Sequence, residues 1–86
     1  MRFMSRDTVE TKTVIQDWLQ ENVGTNGDLS YEYPLIENGL LTSLQTMELV
    51  MFMEGEFGIT VDDEDIVEEN FATLGDIVAL VESKGE

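Results

Sequence analysis

Ser43 stands where a turn-rich stretch gives way to an apolar and acidic run, so its hydroxyl would lie at the start of a helix. The first backbone N–H groups of a helix have no intrahelical partner, and its dipole presents a positive end there. A phosphate esterified to that hydroxyl would therefore be held electrostatically. Capping competes with this role. Thr42 with Gln45 fits the T-x-x-Q capping box, which leaves Ser43 as merely the first helical residue. Spacing alone favours capping, because such caps are common.

Other residue types narrow the chemistry. The chain has no His and no Cys. Their absence removes Ser-His-Asp and Cys-His pairs, thiolates, and nitrogen or sulfur ligands for zinc, and with them most independent catalysis. It also removes any disulfide framework. The run from Asp62 to Asp65 is rich in carboxylates, which suit hard cations. An EF-hand loop starting at Asp62 would need Gly at its sixth position and Glu at its twelfth, where this sequence has Val67 and Thr73. A solvated charge run, at most weakly screened by divalent ions, is the simpler expectation. No metal site is expected.

Charge bears on partners. The 86 residues carry 19 Asp plus Glu against 4 Lys plus Arg, a formal net charge of −15. The basic residues are Arg2, Arg6, Lys12 and Lys84, so no positive side chain occurs from Thr13 to Ser83. Such a field repels nucleic acid and anionic membranes and steers basic protein surfaces toward the domain. Solubility alone would need only about 2 to 8 charges, so the excess points to basic protein partners. The first residues lack the apolar core of a signal peptide. The longest apolar run, Leu49 to Met53, falls far short of the about 20 residues that span a bilayer. A cytoplasmic protein is expected.

The elements that must position Ser43 follow from periodicity. Leu, Ile, Val and Phe together exceed the roughly 20% below which acidic chains stay disordered, so the chain should fold as a single domain over residues 1–86. From about Asp7 to Asn22, Val14, Ile15, Trp18 and Leu19 recur at helical spacing, with Asp7 available as N-cap and Gly24 past the end. A long ordered loop follows to Leu41, marked by a GTNGD turn and Pro34 and anchored by Leu35, Ile36, Leu40 and Leu41. A second helix spans Ser43 to Phe57 and stops at Gly58. Ile66 and Val67 hint at a short third helix. Leu74, Ile77, Val78 and Val81 form an i, i+3, i+4, i+7 stripe that Thr73 can cap. The expected fold is all-α: a small antiparallel four-helix bundle with three main helices, one short third helix and a long loop between the first two.

The second helix has two apolar faces. At about 100° per residue, Leu49, Val50, Met53 and Phe57 share one side, while Leu44, Met47 and Met51 fall nearly opposite, followed by Gly55. The second stripe is either covered by the long loop or presented to a partner, for which adaptable Met side chains are suited. Glu48, Glu54 and Glu56 rim it with negative charge.

The segment Gly39-Leu40-Leu41-Thr42-Ser43-Leu44, continued as QTMELVMFMEGEFGITVDDEDI, resembles the acyl carrier protein family. That family's signature is Asp-Ser-Leu at the start of helix two. Length, acidity, the long first loop, the Phe57-Gly58-Ile59 helix end and the acidic third-helix region extend the resemblance over nearly the whole chain. The resemblance implies that Ser43 carries a covalent 4'-phosphopantetheine arm, attached from coenzyme A by a phosphopantetheinyl transferase. The domain would then be no enzyme, but a monomeric carrier of an acyl or aminoacyl thioester. It also implies that Leu44, Met47, Glu48, Met51 and Glu54 on helix two dock onto basic patches of the loading enzymes, synthases and transferases it serves. The FGITVDDEDIVEENF region is more similar to discrete carriers of secondary metabolism, such as polyketide biosynthesis, than to the fatty-acid type. Thr42 departs from the family's Asp and lacks the carboxylate that helps place the transferase and its Mg²⁺. The alternative from another class is an unmodified acidic adaptor that only docks on enzymes.

Overall fold

A computed structural model describes residues 8–25 and 29–85. The described residues form four α-helices, α1 (Thr8–Asn22), α2 (Ser43–Phe57), α3 (Glu68–Phe71) and α4 (Leu74–Lys84), with a 3₁₀ turn at Asp63–Asp65. The expected all-α helical bundle is what the chain adopts. Asp7, expected as the first N-cap, and residues 26–28 of the turn lie outside the described residues.

In α1, Thr11, Ile15 and Leu19 follow one another at i+4 and are all buried. Leu19 also stops the helix, its carbonyl accepting the N–H groups of Val23 and Gly24 at 2.8 and 3.0 Å. Gln16 is a buried polar residue that the apolar pattern does not flag. Its Oε1 accepts the Leu29 N–H at 2.7 Å and ties the long loop to α1. Trp18 meets Phe52 of α2 with ring centroids 6.0 Å apart.

The described residues of the loop between α1 and α2 are held by the same logic of buried anchors. Leu29, Leu35 and Leu41 are buried, and Ile36 and Leu40 are packed against the core. Its backbone crosses to the start of α4, where the Leu35 N–H donates to the Ala72 carbonyl at 2.8 Å and the Gly75 N–H to the Tyr31 carbonyl at 2.7 Å. An isolated antiparallel bridge pairs Pro34 with Thr73. Gly75 permits this crossing, because a Cβ there would sit 3.0 Å from the Tyr31 carbonyl oxygen.

Helix α2 buries Leu49, Val50 and Met53. It ends where Gly58 adopts φ +67°, a left-handed conformation, and donates its N–H to the Glu54 carbonyl. Ile59 and Val61 then turn back into the core. In α4, Thr73 Oγ1 accepts the Asp76 N–H at 3.1 Å, and Leu74, Ile77, Val78, Leu80 and Val81 are buried. This helix packs on both α1 and α3.

The third helix is displaced from its expected place. Ile66 and Val67 are not helical but form the joint between the 3₁₀ turn and α3, with Val67 extended at φ −127°, ψ 155°. β-Branched side chains favour that extended backbone. The residue that α3 buries is Phe71.

Candidate functional site

The start of α2 is built by reciprocal capping. Thr42 Oγ1 accepts the Gln45 N–H at 3.2 Å, and the Thr42 N–H donates to Gln45 Oε1 at 3.1 Å. The Thr42 carbonyl takes the Thr46 N–H and hydroxyl at 2.8 and 2.9 Å. The capping expected from the sequence is therefore present, and Ser43 is the first helical residue. Capping leaves the role of Ser43 open, since the N–H groups of Ser43 and Leu44 still have no intrahelical partner. Ser43 is exposed, and the first turn of α2 holds no acidic side chain.

Beside Ser43 opens a groove of about 360 Å³ between the first turns of α2, the end of the long loop and the segment leading into α3. Ile36 and Leu41 form its loop wall, Thr46 and Met47 its α2 wall, and Ile66, Val67, Glu68 and Phe71 the wall opposite. Phe71 and Ile66 have no helical repeat to announce them, because α3 is a single turn and Ile66 lies outside any helix.

The outer face of α2 is open to solvent. Leu44 is 69% exposed, Met51 64% and Met47 46%. Among the described residues, neither the long loop nor another helix covers this stripe, in contrast to fully buried Leu49 and Met53 on the same helix. Glu48 is exposed on this helix. Glu54 differs from it: half-buried, its Oε2 accepts the Val61 N–H at 2.9 Å and so fixes the chain leaving α2. Its charge lies on α2 with one oxygen already engaged.

The acidic run is organised around a cation. Lys84 Nζ lies 2.5 Å from Asp65 Oδ2 and 3.4 Å from Asp62 Oδ2. Lys84 and the Asp62 N–H hold the Asp65 carboxyl below the usual carboxylate range, and Asp65 in turn raises the Lys84 pKa. Among the described residues no three acidic side chains converge as a metal site. No helix among them is long and apolar enough to cross a membrane.

A group carried on a phosphodiester suits this site. The serine is accessible, the helix start favours an anion, no first-turn carboxylate opposes one, and an apolar-walled groove lies alongside. Comparison with known proteins agrees with the chemistry. The family model for the phosphopantetheine attachment site matches residues 12–81. The acyl carrier protein of Exiguobacterium sp. AT1b is 37% identical over 71 residues, which cover 81% of this chain and 87% of its own. That of Thermotoga maritima is 36% identical over 81 residues, 93% of this chain and 95% of its own. The acyl carrier protein of Bdellovibrio bacteriovorus is 34% identical over 73 residues, 84% of this chain and 91% of its own. The chain belongs to the acyl carrier protein family, whose members bear a covalent 4'-phosphopantetheine and serve transferases and synthases as carriers rather than as enzymes.

Proposed function

We propose that Ser43 is the attachment point of the 4'-phosphopantetheine, and that the chain is a stand-alone carrier of an acyl or aminoacyl thioester for fatty-acid, polyketide or related biosynthesis. The observation that carries this reading is an exposed serine on the first turn of a capped helix, at the mouth of an apolar-walled groove. When bound, the arm supplies a terminal thiol and hence the thioester chemistry that a chain without Cys lacks.

The residues of the chain divide the remaining work. Thr42 and Gln45 fix the helix start, so that the Ser43 hydroxyl is presented to a modifying enzyme in one geometry. The free N–H groups of the first turn and the helix dipole stabilise the negative charge of a phosphodiester on Ser43 Oγ. The groove shelters an apolar cargo from water. Leu44, Met47 and Met51 give partner enzymes an adaptable apolar contact, and Glu48 with the partly engaged Glu54 steers basic surfaces toward it. Tethering raises the effective concentration of the cargo at each partner's active site.

Incubation with coenzyme A and a broad-specificity phosphopantetheinyl transferase, followed by intact-mass measurement, tests this function. The expected result is the addition of one phosphopantetheine, abolished by Ser43→Ala. No mass change with several transferases that modify a control carrier would overturn it in favour of an unmodified docking adaptor. Thr42, which offers the transferase no carboxylate, is the feature that favours that second reading. Thr42→Asp should speed modification with the fold intact, because both residues cap helices.

A further inference from the structure

Lys84 is the only positive side chain after Lys12, and it reaches from the last turn of α4 to the 3₁₀ turn that precedes the groove wall. Asp65, its nearer partner, is the knot of that region. The Asp65 carboxylate also accepts the Asp62 N–H at 3.1 Å, and its carbonyl accepts Asn70 Nδ2 of α3 at 2.9 Å. The next residues in sequence, Ile66, Val67 and Glu68, line the groove, as does Phe71. One ammonium thus holds the hinge end of the wall.

We propose that Lys84 is a latch that sets how readily the Ile66–Phe71 wall moves away from α2 to admit an apolar cargo. The proposal rests on the reading that the groove receives the cargo. Removing the ammonium leaves Asp62, Asp63, Glu64 and Asp65 as adjacent like charges, with Glu68 and Glu69 just beyond, and their repulsion favours an outward shift of the segment. Helix α4 itself does not depend on the latch, since Leu74, Ile77, Val78, Leu80 and Val81 bury it independently. Loss of Lys84 therefore loosens the held segment while the α1–α4 core stays closed.

Amide hydrogen exchange on the full, unloaded chain tests the latch in wild type, Lys84→Gln and Lys84→Arg. The amides of Asp65, Ile66 and Asn70 are each hydrogen-bonded within the held segment and serve as reporters. In Lys84→Gln they should exchange about two- to fivefold faster, the scale of losing one partly exposed ion pair. Lys84→Arg should restore wild-type rates, and amides in the cores of α1 and α4 should not change. Unchanged exchange at the three reporters, or a uniform rise that includes α1, overturns the latch. A separate arm compares wild type loaded with acetyl and with octanoyl groups, where exchange across residues 66–71 should differ. Identical exchange for the two cargoes would overturn the groove reading, whereas the unloaded chain decides the latch by itself.

Discussion

Met51 and Met53 lie two residues apart on α2 and face opposite worlds, which makes truncating each to Ala a direct test of how this helix divides its labour. Met53 is fully buried beside Leu49 and Val50. Its truncation removes methylene and thioether contacts and leaves a cavity, at about 2 to 5 kcal/mol. A domain of this length has roughly 4 to 13 kcal/mol in hand, so the loss is a large share of the total. Each kcal/mol shifts the melting temperature of such a domain by about 4 to 8 °C, so Met53→Ala should melt at least about 8 °C lower. Met51 is 64% exposed. Its truncation should stay within about 0.5 kcal/mol, and so within about 4 °C. Affinity for the phosphopantetheinyl transferase should show the reverse order. Met51→Ala should lose about 1 to 2 kcal/mol of binding if it is an interface anchor, while Met53→Ala binds normally per folded molecule. Circular dichroism melts paired with titration against the transferase measure both quantities. Equal destabilisation by the two substitutions, with binding per folded molecule unchanged, would refute the docking role of the outer stripe.

Three further outcomes follow from particular contacts. Gly75→Ala would place a Cβ 3.0 Å from the Tyr31 carbonyl oxygen and 3.3 Å from Tyr31 Cβ. Urea unfolding should show a loss of about 1 to 3 kcal/mol, outweighing the at most about 1 kcal/mol gained in helix propensity; no loss would mean that the loop yields freely at Tyr31. Raising ionic strength, or adding millimolar Mg²⁺, should raise the melting temperature most steeply at low salt, because it screens the self-repulsion of the acidic surface; a flat response would show that the charges are already compensated. The ion pair of Lys84 adds a pH signature. Its ammonium lowers the Asp65 pKa, so that contribution is complete above the usual carboxylate range and is lost as pH falls through the lowered value. Asp65 raises the Lys84 pKa, so the complementary contribution is complete below the usual lysine range and is lost as pH rises through the raised value. The stability difference between wild type and Lys84→Gln should therefore peak around neutrality and shrink at both extremes, and a difference that persists in strong acid would assign it to the packing of the lysine stem.

Features written in local pattern were legible in the sequence. The bounds of α2, the Thr42–Gln45 box, the Gly58 stop, the Thr73 cap and the buried stripe of α4 each depend on residues at most one or two helical turns apart. The two faces of α2 were legible for the same reason, although only the fold decides which one faces solvent. Contacts between polar groups distant in sequence leave no such trace. The Gln16 amide on the Leu29 N–H and the Lys84 ammonium on Asp65 come from the tertiary fold, and the Glu54 carboxylate on the Val61 N–H from the way the chain turns back after α2. The third helix was misplaced because a single turn is too short to express a period, so the apolar pair Ile66 and Val67 suggested a helix where the chain is extended. The groove beside Ser43 left no trace in the sequence for the same reason, since one of its walls is this segment.

The docking of α1 on α4, with the cross-links from Tyr31 and Leu35 to Gly75 and Ala72, has a consequence for how the chain is made. Every one of these contacts joins an early residue to one beyond Phe71, so a nascent chain that has reached only the end of α2 has no closed core to fold around. At about 5–20 residues per second, a ribosome leaves Ile15, Leu19 and Leu35 without their final partners for roughly a few seconds after α2 has been synthesised. The acidic side chains spread along that unfinished chain repel neighbouring chains during the wait, and α4 then supplies the missing side of the core.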